Sequence, residues 1–249
     1  MKRLALSFLL VFSSNIVFSC SKDLPETTLQ SNNEAKILSN SSGKKFNLTQ
    51  RKKAILAKTN NNEKLAVKDL PPNFIFVPLS RQASDYTCGV GVTQSMMMYY
   101  GDEYMEGELA KELKADPNEG TAYSNISKFV KENGYSVNIT KNMTLDELKK
   151  SIDNKKPVIV LLQAWSEKPT DYSKDWEDGH YSIAIGYDQK RIYFMDPSTL
   201  GNYTFIPTQQ FLDRWHDTDT NEKLYNFGMV IEKKSSKKIY NRNDILKMD

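Results

Sequence analysis

Reactive and metal-binding side chains are scarce in this chain of 249 residues, which has two cysteines, Cys20 and Cys88, and two histidines, His180 and His216. That scarcity excludes a disulfide framework, which needs several cysteine pairs. A structural zinc site also fails by count once Cys20 carries lipid, since one cysteine and two histidines then remain and tetrahedral zinc takes four ligands. Net charge is equally lacking. With 34 Lys and Arg against 31 Asp and Glu the formal charge is +3, too near balance to argue for a nucleic-acid partner. No dinucleotide fingerprint occurs, and Gly89-Val90-Gly91 lacks the later glycine and lysine that a phosphate cradle needs. Nor is there a run of about 20 apolar residues to span a bilayer. No cofactor is expected.

What is present begins with a targeting segment. Lys2-Arg3, the apolar stretch Leu4 to Phe18 and small Ser19 read as a secretory signal over residues 1–19. Its last positions, Val17-Phe18-Ser19-Cys20, resemble a lipoprotein cleavage box. Cys20 is then the expected lipidation site, its acyl chains giving membrane affinity at about 0.8 kcal/mol per buried CH2. The expected location is the bacterial cell envelope, and the absence of aspartate after Cys20 leans toward the outer membrane. Residues 20–69, rich in Asn, Ser, Lys and Thr, predict a disordered tether with only a weak helical stretch from Arg51 to Ala57. Pro71-Pro72 closes it. Residues 70–233 make one domain of ordinary size, followed by a basic tail, 234–249. Lys233-Lys234 and Lys237-Lys238 read as solvated terminal residues.

Within the domain the hydrophobic period shifts from helix to strand. Phe74-Ile75-Phe76-Val77-Pro78 predicts a short opening strand. Val92, Met96 and Tyr99, with Met97 and Tyr100, follow 3.6-residue spacing over Val90 to Tyr100 and predict a helix buried on most sides, ended by Gly101. Helices follow at Glu106 to Ala115, at Tyr123 to Asn133 before Gly134, and at Leu145 to Asp153, where Thr144 and Glu147 form a capping box. β-Branched and aromatic runs then predict strands at Pro157 to Leu162, Tyr181 to Tyr187, Arg191 to Met195 and Phe227 to Ile231, with a further helix at Pro207 to Trp215. A helical first half followed by antiparallel strands is an α+β domain, with the helix after Cys88 packed on the sheet.

Cys88 precedes the first of these helices, in Gln82-Ala-Ser-Asp-Tyr-Thr-Cys88-Gly89. At a helix's first turn a thiol feels the positive end of the macrodipole, which favours the thiolate. A buried core thiol is the bland alternative. A nucleophilic thiolate needs an imidazole to hold it and to protonate a leaving amine, and two histidines are on offer. His180 opens the strand Tyr181 to Tyr187, and a tight turn near Asp188-Gln189-Lys190 folds Arg191 to Asp196 back beside it. With Tyr187 facing Lys190, His180 faces position 197, one residue from Asp196, which is then in reach to orient the imidazole. His216, in Arg214-Trp215-His216-Asp217, has only a sequential acid neighbour and reads as a surface or capping histidine. Gln82, six residues before Cys88, is placed to donate its amide to an oxyanion. Trp165, Tyr172 and Trp176, in the loop before His180, line a subsite or pack its rim.

Taken in order, these motifs resemble the papain-like bacteriocin-processing peptidases, the double-glycine leader peptidases that occur as N-terminal domains of peptide exporters and as stand-alone relatives. The resemblance runs from about Phe74 to Glu232 and rests on Gln82 through Gly89, on Tyr99-Tyr100-Gly101 and on Lys156-Pro157-Val158-Ile159-Val160. It rests further on Gly179-His180-Tyr181-Ser182-Ile183-Ala184-Ile185-Gly186-Tyr187 and on Asp196-Pro197-Ser198. It implies a papain-like α+β fold with Cys88 as nucleophile, His180 as base, Asp196 as orienting acid and Gln82 at the oxyanion hole. The implied reaction is acyl transfer on a peptide. An isopeptide, a peptidoglycan cross-bridge or another acyl donor would use the same groups. Two departures stand out: Val90-Gly91 replaces the proline or small residue usual two positions after the cysteine, and the exporters' membrane spans and nucleotide-binding domain do not follow. The expectation is therefore a stand-alone, membrane-anchored peptidase, the alternative being a peptide-binding module of the same fold without turnover.

Overall fold

The computed structural model describes residues 64–199, 201–233, 240–245 and 247–248. The signal segment, Cys20, the tether as far as residue 63 with its helical stretch Arg51 to Ala57, and lysines 234, 237 and 238 lie outside the described residues. The last tether residues include a one-turn 3-10 helix, Val67–Asp69, and Leu65 and Leu70 pack against the core.

Four helices precede or interleave with the first strands: α1 (Cys88–Tyr99), α2 (Glu106–Glu112), α3 (Tyr123–Glu132) and, after β1 (Tyr135–Thr140), α4 (Leu145–Asp153). Then come β2 (Val158–Gln163), β3 (Gly179–Tyr187), β4 (Arg191–Met195), β5 (Thr204–Pro207), α5 (Thr208–Arg214), β6 (His216–Asp219), β7 (Glu222–Tyr225) and β8 (Gly228–Lys233). Six strands form an antiparallel sheet in the order β1-β8-β2-β3-β4-β5, and β6 and β7 pair as a separate hairpin. The result is the expected α+β arrangement, with α1 packed against β3. Ten residues of α1 are buried, among them Val90, Val92, Met96 and Met97 without exposed surface. The helix is buried on most sides, with only Gln94 and Met98 half-exposed, and it cannot shift without opening the core.

Helix ends explain where the sequence expectation overshoots. Gly101 stops α1 at a positive φ of 88°, its N–H bonded to Met98 and that of Asp102 to Met97, a Schellman ending. The same two bonds close α2 around Lys114, at φ 52°, and α4 around Lys155, at φ 59°. No glycine marks the end of α2, so the helix expected to run to Ala115 stops at Glu112. The capping box at Thr144 and Glu147 is present as expected.

Three expectations need correction. Phe74 to Pro78 is extended but joins no ladder: Ile75 donates one backbone hydrogen bond, 2.7 Å, to the Ile185 carbonyl, and the flanking prolines supply no further donors. Lys233 is no solvated tail residue, because it ends β8 and pairs with both oxygens of Asp102 at 2.5 Å. β1, β5 and the β6–β7 hairpin were not anticipated. The hairpin sequences His-Asp-Thr-Asp and Glu-Lys-Leu-Tyr carry almost no apolar alternation, and their turn is set by Thr220 and Asn221 at φ 50° and 65°.

Candidate active site

Cys88 is the first residue of α1, and the first-turn N–H groups of a helix have no acceptors within it. Thr87 precedes it without a side-chain cap, because its hydroxyl is used elsewhere: it bonds the Ser84 carbonyl at 3.2 Å and Glu106 Oε1 at 3.0 Å. Glu106 Oε1 also accepts the Ala83 N–H at 2.7 Å. A carboxylate from the start of α2 therefore fixes the loop that delivers Cys88, a role with no signature in the sequence. Gly89 allows a second close approach, since a Cβ there would lie 2.7 Å from Thr121 Cβ. Thr121 Oγ1 is buried beside it and, among the described residues, has no hydrogen-bond partner.

Gln82 is 5% exposed and fully engaged. Its Nε2 donates to the carbonyls of Ser84 (2.7 Å) and Asp85 (3.3 Å), and its Oε1 accepts the Ser198 hydroxyl at 2.9 Å. Two carbonyl neighbours require a donor, so the orientation of the amide follows from its surroundings. The backbone of the same residue is tied to the acid segment, Gln82 N–H to the Pro197 carbonyl at 3.0 Å, and the Arg81 guanidinium donates to the Ser198 carbonyl. Gly91 completes the strap: a Cβ there would lie 2.8 Å from Pro197 Cβ. The nucleophile loop, α1 and residues 196–198 are thereby one packed unit.

The acid reaches the histidine by a route the sequence arithmetic did not foresee. Tyr187 faces Ile192, not Lys190, and Gly186 faces Tyr193. On that register Asp196 would fall on the face opposite His180. A bulge at Ile185 then shifts the pairing by one, so that Ala184 faces Phe194 and Ile183 faces Met195. Continued by one residue, this sets Asp196 opposite Ser182, on the face His180 shares, because one residue of slip exchanges the two faces of a strand. The unpaired Ile185 is also the residue whose carbonyl takes the Ile75 N–H.

His180 Nε2 and Asp196 Oδ1 are 3.0 Å apart, and both residues are 5% exposed. Asp196 Oδ1 also accepts the Ser198 N–H at 2.7 Å, and Oδ2 accepts the Trp165 indole N–H at 2.9 Å. With Nε2 committed to the acid, Nδ1 is left for Cys88. Burial alone would push the imidazole below its usual 6.5, but the Asp196 carboxylate outweighs it and, helped by contact with Cys88, holds the ring well above that value. The four residues singled out by sequence thus lie in one neighbourhood.

His216 does not join them. It is 6% exposed, against the expectation of a surface or capping histidine, with Nε2 2.7 Å from the Asp175 carbonyl and its ring 4.5 Å from that of Trp176. Trp176 packs further on Tyr225 and under Lys223, so it belongs to the β6–β7 hairpin. Trp165 and Tyr172 instead line a cavity of about 930 Å³ whose wall includes Asp196, Leu162, Phe205 and Arg214, the last stacked 4.1 Å over the Tyr172 ring. Beneath His180, Asp217 is 7% exposed, accepts from Gln163 Nε2 (3.0 Å) and Thr218 N–H (2.8 Å), and is pushed up to about 7 by its burial.

Among solved structures, the peptidase domain of Streptococcus ComA, a bifunctional ABC transporter involved in quorum sensing, is 19% identical, the match covering 63% of this chain and 98% of that one with a TM-score of 0.48. A C39-like peptidase from Bacillus anthracis is 19% identical, with 70% and 100% covered and a TM-score of 0.49. A double glycine motif protease from an AMS/PCAT transporter, solved with its leader peptide, is 16% identical, with 65% and 95% covered and a TM-score of 0.46. No curated protein sequence matches this chain. A family model does, over residues 74–222, from the extended entry segment at Phe74 to the start of β7, which takes in α1, the whole of β2 to β4 and every residue described around Cys88. The chain belongs to the Peptidase_C39 like family and has its papain-like α+β fold.

Proposed function

We propose that this chain is a cysteine peptidase that hydrolyses peptide or isopeptide bonds with Cys88, His180 and Asp196, held at the bacterial cell envelope by lipid on Cys20. The observation that carries the reading is the buried imidazole bonded to Asp196 through Nε2 and in contact with Cys88 at a helix N-terminus. In that arrangement the Cys88 thiolate attacks the carbonyl carbon, and the C=O pair moves onto oxygen. The oxyanion is met by first-turn N–H groups of α1 and by Gln82, whose longer bond, 3.3 Å to the Asp85 carbonyl, is the one to exchange. His180 passes its proton to the leaving amine and the C–N bond breaks; the neutral ring then takes a proton from water as the water attacks the thioester, and collapse of that adduct breaks the C–S bond, releasing the carboxylic acid product and restoring the Cys88 thiolate beside protonated His180. The envelope location rests on Lys2-Arg3, the apolar stretch to Phe18 and Cys20.

Alkylation of Cys88 by iodoacetamide, mapped by mass spectrometry so that Cys20 is scored separately, tests the pair without a known substrate. Rapid alkylation that collapses in His180→Ala is expected, followed by turnover of members of a peptide library that Cys88→Ala leaves intact. Alkylation indifferent to His180, with peptides bound but uncut, would replace the enzyme by a peptide-binding module. Cys20→Ser is expected to move the protein from the membrane to the soluble fraction.

A further inference from the structure

Trp165 sits in the loop between β2 and β3 at a φ of 68°, a left-handed conformation that is strained for a bulky residue. The loop is closed at its base, Ala164 N–H on the Asp178 carbonyl at 2.9 Å and Asp178 N–H on Gln163 Oε1 at 2.9 Å. The next residue is held as well, Ser166 N–H donating to the Tyr172 hydroxyl at 3.1 Å. Strain held in place on both sides calls for a return, and the indole supplies one in its 2.9 Å bond to Asp196 Oδ2.

We propose that Trp165 is a positioning residue of the catalytic unit: its indole N–H fixes the plane of the Asp196 carboxylate, and so keeps Oδ1 on His180 Nε2 and the ring's other nitrogen on Cys88. The proposal rests on the peptidase reading and deepens it. An indole N–H and a backbone N–H can only donate. Trp165 on Oδ2 and Ser198 on Oδ1 therefore hold both oxygens as acceptors, and the proton shared with His180 has its place on Nε2. Three donors from three separate segments, the β2–β3 loop, β3 and the turn after β4, define that plane. Without Trp165 the carboxylate can turn about its Cβ–Cγ bond while Ser198 holds one oxygen, and the imidazole loses a fixed partner. Trp165 keeps 36% of its surface exposed while Asp196 keeps 5%, so the bond stands at the rim of the site, on a residue that also lines the 930 Å³ cavity.

Trp165→Phe keeps a ring and removes the donor, and Asp196→Asn gives the reference for losing the carboxylate's charge. The readout is the titration midpoint of the His180 ring protons by NMR, assigned with His180→Ala, together with the melting temperature. Trp165→Phe is expected to lower the His180 midpoint in the same direction as Asp196→Asn, by about one pH unit. A residue that merely packs lowers the melting temperature and leaves that midpoint at its wild-type value, and this result overturns the proposal. Failure of the peptidase reading shows elsewhere, as Cys88 alkylation that ignores His180→Ala; the His180 midpoint decides the role of Trp165 in either case.

Discussion

Replacing Gly91 by alanine tests whether the strap between α1 and residues 196–198 sets the geometry of the site. The new Cβ would lie 2.8 Å from Pro197 Cβ, 3.6 Å from its Cγ and 3.7 Å from the Gln82 backbone nitrogen. Carbon atoms in contact prefer about 3.5–4.0 Å, so about 1 Å must open. A pyrrolidine ring cannot fold aside, and α1 is enclosed by the core, so the displacement falls on the segment that carries Asp196. Alanine gains about 1 kcal/mol over glycine within a helix, against an overpacking cost of about 1–3 kcal/mol. The net loss of stability is about 0–2 kcal/mol, read as a lower urea midpoint. The effect on chemistry is larger, since a misplacement of about 1 Å costs on the order of 100-fold in rate, or about 2.7 kcal/mol of barrier. The control is Gly107→Ala in α2, where a Cβ meets nothing within 4 Å and stability is expected to rise by up to about 1 kcal/mol with reactivity unchanged. The assays are urea unfolding and the His180-dependent alkylation of Cys88. A Gly91→Ala protein that is destabilised by 2 kcal/mol yet alkylated at the wild-type rate refutes the reasoning.

The His180–Asp196 pair makes stability depend on pH in a stated direction. The folded value of His180 lies above 6.5, so its contribution is present in full below about pH 6.5 and is lost as pH rises through about 10; thermal unfolding of His180→Ala should lack that alkaline loss. Asp217 is also raised, from 3.8 to about 7, because burial favours its neutral form. Its penalty grows as pH rises from about 4 to about 7, so Asp217→Asn is expected to match wild type below pH 4 and to exceed it at pH 9, by on the order of 2–4 kcal/mol in urea unfolding. Equal stabilities at pH 9 would show that this carboxyl ionises without cost. Glu106→Ala removes the acceptor shared by Ala83 and Thr87, with an expected loss of about 1–2 kcal/mol and slower Cys88 alkylation; unchanged alkylation would mean that the loop holds its shape alone.

The helices and the central strands were legible because their burial is continuous and their periods are clean: Val92, Met96 and Tyr99 on α1, and the unbroken apolar run of β2. What escaped notice is held together by polar groups or by conformation. The β6–β7 hairpin exposes Thr218, Glu222 and Lys223 and buries carboxylates, Asp217 on Gln163 and Asp219 on the Tyr123 N–H at 2.8 Å and the Tyr181 hydroxyl at 3.2 Å. Apolar periodicity carries no information about such an element. The premature end of α2 has the same origin, a lysine accepting the left-handed position where a glycine would have announced the stop.

For the site, sequence named the reactive groups but not what aims them. Cys88, Gln82, His180 and Asp196 are recognisable because their chemistry is rare in this chain or because each stands at a helix start, a strand start or a strand end. Their alignment depends on pairings between distant segments, which no local pattern records: Glu106 on the Cys88 loop, Ser198 on Gln82, Trp165 on Asp196. The bulge at Ile185 is the sharpest case. A hairpin register read from the turn alone places Asp196 near His180 in number and on the wrong face in space, and so does the observed register before the bulge. One unpaired residue restores the face and frees the carbonyl that anchors Ile75, so a single irregularity both directs the acid at the imidazole and ties the entry segment to the sheet. Deleting Ile185 should therefore leave Ala184 on Phe194 and Asp196 opposite Ser182, on the face of His180, and keep Cys88 alkylation dependent on His180, while the lost bond to the Ile75 N–H lowers the urea midpoint; alkylation that no longer depends on His180 would refute this reading of the register.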